Sequence, residues 1–600
     1  MTLGILAGGR DRRHDRPTQN AHPMNTPRSL LFLLTTVAAG ALARPAPVVP
    51  APVALDLQLV PYADKGEVNT LEVRLRFATA TIARDEIVVY LPMMAVNVDT
   101  AAESIASIEA SDAQGTVQLA ARASTAEESE DQPLRVWTAP RALSGPLTLR
   151  YRVPANATRP PRGPAPPIAF RNDDQAFSAA ASVFLVVPPK RQTYLLNIDW
   201  DLSHLPDGAK GVSSFGEGDV RVGEIGSGGL SGLFFMAGQI GHWPGVPRAD
   251  RFSVAWQGQP PFDANALSAW VGKLHDQFEL AFPQRESGPY TIFLRYNPVN
   301  AGGGTALNQS FVTTYGEGDG ADLDLIKITL SHEMFHTYQP RLAQHAAEST
   351  TWFSEGSAVF YEALLPLRFG LLTPQQFLDS LNITAARYYT NALGNLPNAR
   401  IDEGFWKDTR IRTLAYDRGM LYLATVNDAL RKRSQGRRSL DDLLRALLAI
   451  GQQREATQAD WEALLKAELG DTAVQDFHAF LAGTAPLPAS DAFGPCFRRT
   501  SKPLRRYVLG FEPAVLAEPK RVVRGLIADS AAARAGVRNG DEIVRPVPQD
   551  GIQGNQTEHL HLRLRRDDNE FDVDYLPRGE QVDTWQWERV PGVEDAQCRL

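Results

Sequence analysis

The sequence predicts a multidomain α+β chain: a β-sandwich-like amino-terminal domain, a mostly α central domain, and a smaller β domain at the carboxyl end. Three observations carry this. Apolar and polar residues alternate with period two from about residue 53, helical spacing takes over near residue 260, and strand patterns return after about residue 496. A chain of 600 residues is also too long for one hydrophobic core. Composition is that of a folded protein, with 43% apolar and 22% charged residues, and the net charge of −8 argues against nucleic acid as the main partner.

The first 43 residues read as an address. From Met24 a short basic start precedes an apolar stretch and Ala41-Leu42-Ala43, the layout of a cleaved secretory signal. Met24 is the expected true start, because residues 1–23 are polar and rich in Arg and Pro. The apolar run is short for a permanent membrane anchor. The expected destination is periplasmic or secreted, with no integral span after cleavage.

The amino-terminal β domain is expected over 50–255. Val53 to Val60 and Leu71 to Phe77 alternate strictly, and IVVYLP, LTLRYRV and VFLVVPP follow as shorter strand-like runs. The polar alternate face suits an antiparallel sandwich. PANATRPPRGPAPP is a surface loop by composition.

The central domain is expected over 256–490. Asp263 caps a helix with Leu267, Trp270, Val271, Leu274 and Phe278 at helical spacing. Strands are expected at Tyr290 to Tyr296 and Phe311 to Tyr315, then helices such as Leu440 to Ile450 and Ala459 to Leu469. The last domain, 496–598, begins and ends at the chain's two cysteines, Cys496 and Cys598. In an oxidising compartment they are a disulfide candidate, closing that segment as one loop.

The chemistry concentrates in Ser331-His332-Glu333-Met334-Phe335-His336. Residues four apart share a helix face, so both imidazoles reach one ion, with Glu333 beside them to take a proton from the attacking water. Pro340 ends the helix. A catalytic tetrahedral zinc site needs a third protein ligand. Gln339 and Leu342 stand where a third histidine motif would require Gly and His, which excludes that arrangement. Nineteen residues beyond His336, Glu355 lies in Trp352-Phe353-Ser354-Glu355-Gly356-Ser357-Ala358-Val359-Phe360-Tyr361-Glu362, on a second helix. One Zn2+ per chain, on His332, His336 and Glu355, is the expected cofactor.

This pattern resembles the gluzincin metallopeptidases. The order of β-rich, catalytic and carboxy-terminal domains is similar to the glycyl aminopeptidase family, and the eighteen-residue gap is closer to the alanyl aminopeptidase branch. The resemblance implies a thermolysin-like catalytic domain. It also implies that Glu362, two turns after Glu355, accepts a hydrogen bond from a ligand histidine. Ala415-Tyr416-Asp417-Arg418-Gly419 resembles the segment whose tyrosine donates to the oxyanion, and Tyr388, Tyr389 and Tyr422 compete for that role. Gly525 to Val544 resembles the middle of a PDZ domain, with Val508-Leu509-Gly510-Phe511 as its carboxylate loop, implying a C-terminal peptide ligand or a packing module.

One position departs from the family. Gly302-Gly303-Gly304-Thr305-Ala306-Leu307 occupies the place of the glycine-rich segment whose glutamate grips a substrate's free amine, and Ala306 aligns with that glutamate. The backbone of Gly303 and Gly304 remains as the substrate-binding element. Aminopeptidase and endopeptidase activity are therefore both open. The rival class is a peptide-binding pseudoenzyme with structural zinc, for which Glu333 would serve no purpose.

Overall fold

The computed structural model describes residues 51–599, apart from 130–131, 156–164, 190–191, 284–287, 299–300, 345–348 and 548. The signal segment and the core of the Pro-rich loop lie outside the described residues. Within them, no helix is long and apolar enough to cross a membrane.

The amino-terminal region is β-rich, as the alternation predicts. Its largest sheet has seven strands and centres on Val53–Asp64, which pairs antiparallel with Glu67–Ile82 and parallel with Thr193–Trp200. The sheet is therefore mixed where an antiparallel one was expected. The inward positions Leu55, Leu57, Leu59, Val73 and Leu75 are buried, while Arg74 and Arg76 alternate with them. In VFLVVPP, Val183 to Val187 are buried but form no strand. Ala181–Val183 is a 3₁₀ turn, and only Val187 bridges, to Tyr90. Pro188 and Pro189, which lack N–H groups, end the pairing there.

A second sheet of five strands includes Ala176–Ala180 and Phe234–Gly238, both fully buried. It packs on a third sheet, ordered Ile240–Trp243, Phe252–Gln257, Tyr290–Tyr296, Ser310–Tyr315 and Gly304–Leu307. The boundary expected at 255 therefore falls inside this catalytic sheet, because its first two strands come before the helical pattern begins. Both faces of the sheet are covered. Val254, Ile292, Leu294 and Phe311 point into the helical core, and their neighbours Ala255, Phe293 and Val312 into the amino-terminal core. Polar ties lock the seam: Gln257 Nε2 donates to the carbonyls of Asp173 and Ala176 at 2.8 Å, and Arg295 Nη1 to that of Ala169 at 2.7 Å.

The helical side holds the elements that build the site. Asp263 caps Ala264–Ala281 by accepting from the amides of Asn265 and Ala266. Asp322 caps the next helix, Leu323–Tyr338 (the His helix), in the same way, and Gln339 and Pro340 end it. Thr351–Phe369 (the Glu helix) packs against it and against Thr409–Ser434 (the Tyr helix). Pro374–Tyr389 lies beside these, opened by a Thr373/Gln376 capping box.

The carboxy-terminal domain is β-rich, with Phe497–Tyr507 paired to Arg578–Arg589 and a four-stranded sheet that includes Leu560–Arg566 and Asn569–Tyr575. Cys496 and Cys598 are joined in a disulfide spanning 102 residues. Both cysteines, with Phe497 and Trp587, lie in the catalytic domain's core.

Candidate metal centre

His332 and His336 sit on consecutive turns of the buried end of the His helix, and the Glu helix brings Glu355 across to them. The three donor atoms converge. His332 Nε2 lies 3.1 Å from His336 Nε2 and 3.4 Å from Glu355 Oε2, and His336 Nε2 lies 3.5 Å from the same oxygen. Four-coordinate zinc with bonds of about 2.0–2.1 Å sets its donors about 3.3 Å apart. Glu355 Oε2 is buried and makes no hydrogen bond among the described residues. A buried carboxylate oxygen facing two imidazole nitrogens fits a cation, so the residues present fit zinc.

The electrostatics agree. Burial opposes ionisation of Glu355, but His336 and His332 hold its carboxyl well below the usual range. Burial also opposes charging His332, yet the facing carboxylates of Glu355 and Glu362 push that imidazole up to about 10.

The outer contacts fix the rings. His332 Nδ1 lies 2.8 Å from Glu362 Oε2, the contact expected of that glutamate. His336 has a partner that the sequence did not suggest. The Gln339 amide lies 2.6 Å from His336 Nδ1 and 2.9 Å from the Ser357 hydroxyl. Gln339 Nε2 faces the imidazole, and its Oε1 accepts from the Ser357 hydroxyl; a metal on His336 Nε2 would put the ring proton on Nδ1 and require the amide turned end for end, with its oxygen toward the ring. Only the helical spacing of 336 and 339 hinted at this.

Glu333 is buried on the same helix. Beside it runs the edge strand Gly304–Leu307, antiparallel to Ser310–Tyr315. A Cβ on Gly304 would stand 2.6 Å from Glu333 Cγ, so only glycine lets the strand approach this closely. Gly303 anchors the strand's start through its carbonyl, which accepts from Thr314 N at 2.9 Å. Ala306 pairs with Phe311 on the same strand.

Tyr416 stacks on His332 with ring centroids 6.0 Å apart, and its buried hydroxyl has no hydrogen-bond partner among the described residues. Burial raises its pKa well above the ordinary tyrosine value, as do the Glu355 and Glu333 carboxylates. It is a neutral donor held at the metal pocket. Of its competitors, Tyr389 donates to the Pro486 carbonyl and Tyr422 stacks on Phe480 at 4.3 Å. What brings Tyr416 in is a glycine crossing. A Cβ on Gly356 would lie 2.6 Å from Gly419 backbone, and one on Gly419 would lie 2.3 Å from the Trp352 carbonyl.

Fold and site together define a zinc metallopeptidase with a two-histidine, one-glutamate ligand set. The sequence model described as M61 glycyl aminopeptidase matches residues 326–399, the stretch that holds the three candidate ligands, and the chain is a hydrolase. No curated protein sequence matches it. Among solved structures, an aminopeptidase N family protein from Idiomarina loihiensis shares the fold at 14% identity and TM-score 0.60, covering 89% of this chain and 96% of that one. An M1 zinc metallopeptidase from Deinococcus radiodurans, bound to a Tyr-Ser-Ala substrate, is 18% identical with TM-score 0.42, covering 73% and 96%. Leukotriene A4 hydrolase from Saccharomyces cerevisiae is 14% identical with TM-score 0.43, covering 73% and 69%.

Proposed function

We propose that this chain is an exported zinc-dependent peptidase in which Glu333 is the general base and Tyr416 the oxyanion donor. The observation that carries the reading is the convergence of His332, His336 and Glu355 on one point, with Glu333 on the same helix. A pseudoenzyme with structural zinc has no use for that carboxylate.

Zinc bound there supplies Lewis acidity to a water and to the scissile carbonyl. The residues do the rest. The edge strand Gly304–Leu307 offers an extended substrate a place to pair beside Glu333. Glu333 accepts the attacking water's proton and returns it to the leaving amine. Tyr416 donates its hydroxyl to the oxygen on which negative charge develops. Glu362 and Gln339 hold the two ligand rings in the tautomer that leaves Nε2 for the metal.

Release of residues from free amino termini is the reading favoured by the family match. Ala306, which has no carboxylate to grip an amine, favours internal cleavage as the second reading. A mixed peptide library incubated with the zinc-loaded protein and its Glu333→Gln variant separates them by mass spectrometry. Ladders from free termini support an aminopeptidase, and cuts unaffected by terminal blocking support an endopeptidase. Absence of Glu333-dependent products sinks both.

Export is supported by the leader pattern ending at Ala43 and by the Cys496–Cys598 disulfide. Amino-terminal sequencing of the mature protein should begin at Arg44; an intact Met24 terminus would refute cleavage. For the carboxy-terminal domain, a packing role is better supported than peptide capture. The segment after Val508-Leu509-Gly510-Phe511 forms a 3₁₀ turn, Pro513–Ala517, and not a strand open to a ligand. The helix that would wall a groove is four residues long, Gly551–Gly554, and packs on the catalytic domain.

A further inference from the structure

That short helix lies close to the active site. A Cβ on Gly554 would stand 2.6 Å from the carbonyl of Ile383 in Pro374–Tyr389, so the two helices touch backbone to backbone. Gln553 Nε2 donates to Thr409 Oγ1 at 3.1 Å. Asp550, just before the helix, accepts from Thr409 Oγ1 and from Arg412 Nη2, and from Arg412 Nε at 3.1 Å. Asn382 and the backbone of Trp587 exchange two further bonds of 2.8 Å.

Thr409 opens the Tyr helix, and Arg412 lies one turn before Tyr416 on the same face. Arg412 is 2% exposed. A guanidinium buried that deeply requires a counter-charge, and the ion pair the structure gives it is with Asp550. On the other side of Tyr416, Asp417 makes a two-point ion pair with Arg387. Among the described residues, the Tyr416 hydroxyl has no hydrogen bond of its own to place it. Its position follows from the pose of the helix, which is pinned at Gly419, at Asp417 and, through Arg412 and Thr409, at Asp550.

We propose that Asp550 is a positioning residue for the peptidase reaction: by clamping Thr409 and Arg412, the carboxy-terminal domain sets where Tyr416 stands over the metal pocket. The domain is then a working part of the active site. This rests on the role proposed above for Tyr416, and it carries that role to a residue in another domain.

The test uses the full-length zinc-loaded protein with Asp550→Asn, Asp550→Glu and, as a surface control on the same domain, Glu588→Gln, whose partner is the exposed Arg498. Kinetics are expressed per bound zinc, and amide exchange is followed across residues 409–420. Asp550→Asn should lower kcat roughly 10–100-fold with KM within about twofold, the loss expected when a reacting group is displaced by about an ångström. Exchange should quicken within 409–420, and Glu588→Gln should match the wild type. Asp550→Glu should recover part of kcat. Should Asp550→Asn not fold, Asp550→Glu carries the test, with kcat per zinc still below wild type. A folded Asp550 variant with wild-type kcat per zinc overturns the proposal, and so does unchanged exchange across 409–420. A wild type that cleaves no peptide removes the peptidase reading instead, and the exchange measurement alone then decides whether Asp550 holds the helix.

Discussion

Glu333 and Glu355 are both buried carboxylates of the site, yet their substitution should fail in different ways. Glu355 supplies a donor atom, so Glu355→Ala should leave two imidazoles and reduce bound zinc, read by metal analysis after dialysis. Glu333 lies beside the ligand set and outside it, so Glu333→Gln should retain zinc and lose activity by about 10³-fold or more. Equal zinc in the Glu355 variant, or near-normal turnover in the Glu333 variant, would reverse these roles. Tyr416→Phe removes only a donor to the developing charge. Its kcat should fall by about 10²-fold with little change in KM, as for other oxyanion donors.

At the scale of elements, the Glu and Tyr helices cross with Gly356 against Gly419. Any Cβ there must push one helix off the other. Gly419→Ala should therefore cost about 1–3 kcal/mol in denaturant unfolding and also lower kcat, because Tyr416 is less than one turn away. Stability loss without a kcat change would mean that the crossing does not place the tyrosine. The same elements show what was legible beforehand. His332, His336 and Glu355 could be read because helical period turns spacing into geometry, and the resemblance supplied the roles of Glu362 and Tyr416. Gln339, Ser357 and Asp550 could not. Ser357 and Asp550 act across separate elements, and Gln339, though three residues from His336, is a residue type that marks no ligand partner by itself. The boundary expected at 255 cuts the strand Phe252–Gln257 for a related reason. A strand buried on both faces shows no alternation to mark which core it serves. The leader at 1–43 lies outside the described residues, so its reading rests on sequence alone.

For the whole molecule, the catalytic sheet is the shared wall of two cores, and the carboxy-terminal domain is tied to the helical one. Stability should therefore respond to devices far from the metal. In the amino-terminal domain, Glu72 is buried and gathers Arg74, Arg150 and Arg152 at 2.6, 2.8 and 3.0 Å. Burial alone would raise its pKa, but the arginines lower it from 4.5 to about 2. A depressed carboxyl stabilises the fold fully above its unfolded value of 4.5, and the contribution fades as pH falls toward about 2. Glu72→Gln should cost about 2 kcal/mol at neutral pH, allowing for solvent around the partly exposed arginines, with the difference vanishing as pH falls through about 2. A pH-independent difference would remove the ion cluster as its cause.

The disulfide acts at the other end and on the unfolded chain. It closes a loop of 102 residues, a length at which the entropy model gives about 4.7 kcal/mol as an upper bound. Both cysteines sit in the catalytic core and form the two ends of the carboxy-terminal domain, so the bond ties that domain's ends to the helices. The native docking contacts at Asn382–Trp587 and Arg412–Asp550 are made by other residues. Replacing both cysteines by alanine should then lower unfolding stability by about 2–4 kcal/mol while leaving kcat of the folded enzyme close to wild type. Urea melts of the variant, paired with peptidase assays below the transition, read the two effects separately. If kcat fell with stability intact, the bond would be holding the native domain against the Tyr helix and would not act through the unfolded ensemble.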